Sequence, residues 1–293
     1  MNRSNPGILP IVSLLVAASL WGVVWYPLRL LEVEGMGGLW ASFSSFGAAL
    51  LLGFPWLWRS APAWRENGLV LGLLAVSVGW CNVAFVLAVI DGTVVRVLLL
   101  FYLSPLWALM LGWALLGENP GRQGLVVFVL AIVGAVTMLW DPVIGMPWPR
   151  DNADWLAVSS GLAFAFANVM VRKLRAVTLP GKAAANWLGV TLVAGLWILL
   201  AGEPVPQAAA SVWFSAVMLG WFGFMIMTIA VIYGVTHMPV HRSAVILLFE
   251  LIAGAVSSLL LTDEVVLPRE WLGGGLILLA AYQSARAHIG EAA

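Results

Sequence analysis

Glu250 sits near the middle of an apolar run from about Val240 to Leu261, and no other acidic residue of the chain lies as deep in such a run. A carboxyl at bilayer depth is costly to leave charged and unpaired, so its presence marks a candidate functional site. It could serve as a hydrogen-bonded packing residue, bind a cargo ammonium or carry a coupling proton. Other chemistry is poorly supplied. The three histidines, His237, His241 and His288, fall at a loop and near the terminus, and there is no His-Glu-x-x-His pattern or pair of deep aspartates. No nucleophile stands beside a base, so no catalytic residue is expected. Cys81, the single cysteine, excludes an internal disulfide and a cysteine metal site. No metal or cofactor is expected, and without a Gly-x-x-x-x-Gly-Lys loop the driving force must be a gradient rather than ATP hydrolysis by this chain.

Further candidates are polar or aromatic groups deep in apolar runs. Trp21 and Trp25 are four residues apart and share one helix face, with Gly22 permitting close approach of a neighbour. They would offer a cavity wall to an apolar side chain or, by cation–π contact, to an ammonium; ordinary packing is the plainer account. Trp80 with Asn82, and Phe164 with Asn168 one turn later, repeat the combination of aromatic and amide. Buried amides also serve as interhelical glue, worth about 0.6–2 kcal/mol. Tyr102 precedes Pro105 by three residues, and that proline frees the carbonyl of Phe101, which needs a partner in lipid. Arg96 could snorkel to the headgroups, capture a carboxylate, or serve in gating or charge-pairing. A zwitterion would then place its amino group near Glu250 and its carboxylate near the fourth span. Lys173 could guard a gate. Arg172 and Lys173 also read as determinants of orientation, and Glu118 and Glu264, on opposite faces, as helix-end residues.

The elements that hold these residues follow from composition. With 293 residues, 62% hydrophobic and 10% charged, and a mean hydropathy of +0.99, the chain has too little polar surface to coat a soluble globule. It reads as an integral membrane protein embedded in a lipid bilayer. A net charge of zero argues against nucleic acid as a partner. A spanning helix needs about 20 mainly apolar residues. Ten runs qualify, at about 8–28, 37–58, 67–90, 93–116, 122–140, 153–172, 183–201, 213–235, 240–261 and 271–288. The first is expected to be retained rather than cleaved as a signal peptide. Tryptophans at span ends, among them Trp58, Trp155 and Trp271, are expected in the aromatic belt.

Ten of the 14 Lys and Arg fall on the side of the N-terminus and four on the other, which predicts cytoplasmic chain ends. An internal repeat is also legible. Glu118 and Glu264 each follow an arginine, Arg96 and Arg242, by the same interval, and an offset of about 146 residues also lays Leu20–Val23 over Phe166–Val169. The repeats are expected at 1–140 and 153–293, joined by 141–152. Each holds five spans, and five is odd, so the second enters the membrane from the opposite side. The expected fold is an all-α integral membrane protein of ten transmembrane helices in two inverted five-helix repeats. Such a duplication builds a site near the midplane that opens alternately to either face, which implies transport.

Several stretches carry a resemblance to a known family. Leu20-Trp21-Gly22, Tyr102-Leu103-Ser104-Pro105, Leu116-Gly117-Glu118 with Gly134, and Thr262-Asp263-Glu264 with Gly273 are similar to the pattern of the drug/metabolite transporter superfamily built from two EamA-type units. Trp21, Trp80 and the Phe101–Pro105 stretch resemble its branch of inner-membrane exporters of aromatic and other neutral amino acids. Ser104 and Phe164 stand where more tryptophan would be expected. The resemblance implies an inner-membrane secondary transporter exporting small neutral or zwitterionic molecules and working as a monomer, not an enzyme. Efflux of lipophilic cations and carriage of sugars or nucleotide-sugars are the alternatives. Tags fused to the two chain ends are expected to be cleaved by protease from the cytoplasmic face; tags facing different compartments would contradict the odd count per repeat.

Overall fold

The computed structural model describes residues 8–92, 94–140, 149–261 and 267–292. Among them are ten helical columns and no strand: α1 (Leu9–Val33), α2 (Gly38–Arg59), α3 (Ala61–Asp91), α4 (Val94–Phe101 and Ser104–Leu116), α5 (Gly121–Leu139), α6 (Asn152–Lys173), α7 (Leu179–Ala201), α8 (Ala210–His237), α9 (Val240–Leu247 and Phe249–Leu261) and α10 (Pro268–Ala292). Nine are long and apolar enough to cross a membrane, and α10 is the tenth helix, with Arg269 and Glu270 in its first turn and Arg286 further along. Helix is the required solution, because hydrocarbon offers no partner to an unpaired backbone group. Leucines such as Leu51, Leu69, Leu199 and Leu200 are exposed, as lipid-facing positions must be, and Trp58, Trp155 and Trp271 are exposed near helix ends.

Start and stop signals are local. The α3 column begins six residues before the sequence suggests, but Asn67 leaves helical geometry (φ −121°, ψ 22°), so the long apolar stretch starts at that kink. Asp151 caps α6 by accepting from the Asp154 amide, and Thr178 caps α7 by accepting from that of Gly181. Gly117 and Gly202 end α4 and α7 with φ of 67° and 65°. Glu264, expected at a helix end, and most of the expected 141–152 connection lie outside the described residues.

Packing partners reveal the inverted repeat. The helix pairs α1–α8 and α1–α9 are matched by α6–α3 and α6–α4, while α2–α7 and α5–α10 pack each helix against its own counterpart. Exchanging each helix with the one five later reproduces the pattern. The two repeats, with five helices each, run in opposite senses through the membrane. Small residues let the halves meet. A Cβ on Gly189 of α7 would run into the carbonyl of Ala75 on α3, and one on Gly220 of α8 into that of Ser45 on α2, the equivalent crossing. Gly134 and Gly273 face each other's carbonyls in the same way between α5 and α10. Overpacking such a contact typically costs about 1–3 kcal/mol. Gly189→Val and Gly220→Val are each expected to lower the thermal midpoint of the detergent-solubilised protein; an unchanged midpoint would show that these crossings can part freely.

Candidate functional site: a cavity between the two repeats

Both α4 and α9 are interrupted, and at corresponding places. The first piece of α4 ends at Phe101 and that of α9 at Leu247, about 146 residues apart, the offset of the repeat itself. In α4 the cause is Pro105, which can give no hydrogen bond to the Phe101 carbonyl. That carbonyl packs instead against Gly161 of α6, where a Cβ would lie 2.6 Å away. In α9 no proline is present. The Leu248 amide turns back to the Val245 carbonyl (3.3 Å), and the Glu250 carbonyl abuts Gly22 of α1 in a similar close contact.

Between these breaks lies a cavity of about 160 Å³, lined by residues of both repeats. Of the residues singled out in the sequence, Trp21, Asn82, Tyr102, Phe164, Asn168 and Glu250 line it, on α1, α3, α4, α6 and α9. The Tyr102 hydroxyl and the Glu250 carboxyl face one another and interact. Tyr102 is buried, and what accessible surface Glu250 keeps opens onto the cavity. Aromatic rings make the walls: Phe101 lies 5.8 Å from Phe164 and 5.4 Å from Tyr102, and Trp21 lies 5.7 Å from Phe224, between ring centres. The Asn82 side-chain oxygen is buried and accepts no hydrogen bond. An acceptor in that condition is satisfied by a donor-bearing guest or by water.

Two aromatic candidates fall outside the lining. Trp25 donates from Nε1 to Ser257 Oγ (2.9 Å), and that hydroxyl donates to the Gly22 carbonyl (3.0 Å), a chain that ties α1 to α9. Trp80 donates from Nε1 to Ser159 Oγ (3.3 Å) and packs edge-on against Trp197. Trp221, another deep tryptophan, donates to the Ala48 carbonyl (2.9 Å) and joins α8 to α2.

Arg96 is charge-paired, as one reading of it expects, and its other two readings are corrected. It neither snorkels outward nor lines the cavity. It is buried against Asp154, with Nε 2.8 Å from each carboxylate oxygen and a terminal nitrogen 2.7 Å from Oδ2, while the Arg150 amide also donates to Oδ2 (2.8 Å). The reason is geometric: α4 and α6 run parallel, which brings their starts together, and a carboxylate in the first turn of α6 gains from the helix dipole. Lys173 is exposed at the end of α6, whereas its neighbour Arg172 turns inward, donating from Nε to Glu118 Oε1 (3.1 Å). Glu118 also accepts from the Val240 amide at the start of α9 (2.7 Å), which bears out its reading as a helix-end residue and adds a link between repeats.

Sequence reading does not single out Asp154, Asn186, Thr228 or Lys182. Asn186 and Thr228 line the cavity. Lys182, near the start of α7, is fully buried. Their signal was available as polar side chains on helices, but helical period alone does not say which face meets the cavity. Cys81 lines it too.

The model of the EamA-like transporter family matches residues 8–140 and again 152–285. The chain belongs to the EamA-like transporter family. A protein of Pseudomonas aeruginosa described as an uncharacterized transporter is 28% identical over 211 residues, covering 67% of this chain. The chain spans 65% of that relative's length. A solved protein structure superposes with a TM-score of 0.73 at 16% identity, over 94% of this chain and 97% of the other, and shares the fold. This EamA-like chain is thus a multi-pass membrane protein, and the cavity is where its two repeats meet.

Removing one partner of a buried ion pair typically costs about 3–5 kcal/mol, because the other charge is stranded. Asp154→Asn is expected to lower the thermal midpoint sharply, and pairing it with Arg96→Met to recover most of the loss. A single substitution without effect would show the pair to be solvated.

Proposed function

We propose that the protein is a secondary transporter of the inner membrane, with cytoplasmic chain ends, that exports small neutral or zwitterionic metabolites, foremost amino acids including aromatic ones, by alternating access. The observation that carries this reading is the cavity at the junction of the repeats, where aromatic walls surround Glu250 and Tyr102 at the breaks of α4 and α9. Aromatic and aliphatic surface suits an apolar side chain. Glu250 supplies a counter-charge for an ammonium, and Tyr102, Asn82, Asn168, Asn186 and Thr228 can exchange hydrogen bonds with a polar backbone. Inverted repeats supply two related arrangements, one open to each face, at no cost in new contacts. Cargo passes one molecule at a time through a single chain, driven by a gradient. No enzymatic step is invoked.

A second reading has its own support. Among the lining residues there is no lysine, arginine or histidine, so the cavity would also accept a lipophilic cation without a carboxylate. The two readings share the role of Glu250. In proteoliposomes, Glu250→Gln is expected to reduce uptake of labelled phenylalanine by about tenfold or more, the effect of losing a charge-assisted hydrogen bond and its Coulombic partner. Unchanged uptake with unchanged pH dependence would remove Glu250 from the mechanism.

A further inference from the structure

Just beyond the cavity, on the side of the two chain ends, lies a set of polar side chains that the cavity itself does not use. On α6 the lining ends at Val171, and the next residue is Arg172; on α7 Asn186 lines the cavity, with Lys182 one turn earlier; on α8 Ile232 lines it, with Thr236 one turn later. These three helices bring their polar residues into one cluster. A terminal nitrogen of Arg172 donates to the Thr236 carbonyl (2.5 Å), and Lys182 Nζ donates to the Thr236 hydroxyl (3.0 Å). Glu118 joins from α4, bonded to Arg172 and to the Val240 amide, and His241 Nδ1 lies 3.9 Å from its other oxygen.

The charges in this cluster do not balance. Of its two cationic side chains only Arg172 is bonded to the carboxylate of Glu118, and that carboxylate also serves the start of α9. Lys182 is 0% exposed, and among the described residues no carboxylate lies within ion-pair distance of its ammonium, whose bonded partner is a neutral hydroxyl. It also sits in the first turn of α7, where the helix dipole adds positive potential. A buried ammonium without a counter-ion is a strongly unfavourable arrangement, and one that an anionic group entering from the cavity relieves. Packing gives no account of it, since an aliphatic side chain of that length would fill the space without the charge.

We propose that Arg172 and Lys182 form the receiving site for the carboxylate of a zwitterionic cargo at this mouth, and that Glu118 occupies the Arg172 guanidinium as its stand-in while the site is empty. The proposal rests on the amino acid reading above and specifies which residues recognise the acid. A guanidinium beside an ammonium fits a planar monoanion, and the neighbouring Glu118 repels a more highly charged phosphate. Arrival of the cargo carboxylate breaks the Glu118–Arg172 bond, which joins the end of α4 to the end of α6 across the two repeats. Binding the acid therefore loosens a contact that joins the two repeats at this mouth. The cargo amino group proceeds to Glu250, which lines the cavity.

The test compares labelled phenylalanine with phenethylamine, which lacks only the carboxylate, in proteoliposomes of the full chain. Wild-type protein is expected to prefer phenylalanine. Lys182→Met is expected to lower the ratio of phenylalanine to phenethylamine transport by about tenfold, as for a site that loses its partner for a charged group, and Lys182→Arg to restore it. Glu118→Gln is expected to lower KM for phenylalanine by about fivefold, because the internal competitor is weakened. Equal loss of both compounds in Lys182→Met, or a KM raised in Glu118→Gln, would overturn the proposal. So would wild-type transport of phenethylamine alone, which leaves the carrier reading standing; transport of neither compound would sink the amino acid reading and this inference with it. Glu118→Gln tests the idea even if Lys182→Met does not fold.

Discussion

Hydrocarbon offers no partner to a polar group, and the rest of this structure depends on how that constraint is met. Backbone groups are satisfied within ten helices. Several side chains that cannot be satisfied locally are satisfied across the repeats: Arg96 by Asp154, Glu118 by Arg172 and the Val240 amide, Trp25 by Ser257, Trp221 by the Ala48 carbonyl. These bonds decide which helices travel together. The first helix of each repeat packs with helices of the other, α1 with α8 and α9, and α6 with α3 and α4. Interchange of this kind makes the cavity a property of the pair of repeats and of neither alone.

The same constraint explains where the chain is irregular. Helix breaks are tolerated in a membrane only where protein or a water-filled space covers the freed groups. In α4 the Phe101 carbonyl is covered by Gly161, and in α9 the backbone around Glu250 is covered by Gly22. Glycine on the opposing helix thus permits each break, and each break brings a polar side chain, Tyr102 or Glu250, to the cavity wall. Sequence, backbone irregularity and site chemistry are consequences of one arrangement.

Much of this was legible beforehand. Ten apolar runs, the odd number in each half and the offset between Arg96 and Arg242 contain the fold, because membrane helices announce themselves by length and composition. Glu250 was legible because depth alone makes a carboxyl conspicuous. Trp25 and Trp80 show the limit: both are as deep as Trp21, but each turns its indole N–H to a serine on a neighbouring helix rather than to the cavity. Arg96 shows a second limit, since its partner Asp154 lies 58 residues away and meets it only because α4 and α6 run parallel. Lys182 was hidden for a third reason. Near a helix start it looks like a charge that sets orientation, and only packing shows it to be wholly enclosed.

The central claim is that one cavity between inverted repeats is reached in turn from each side of the membrane. Cys81, the chain's sole cysteine, lines that cavity and reports on it without any substitution. The most direct measurement is its labelling by a membrane-impermeant thiol reagent added to right-side-out or inside-out vesicles. Labelling from both faces, slowed in each case by cargo, is the predicted result; labelling confined to one face would contradict alternating access.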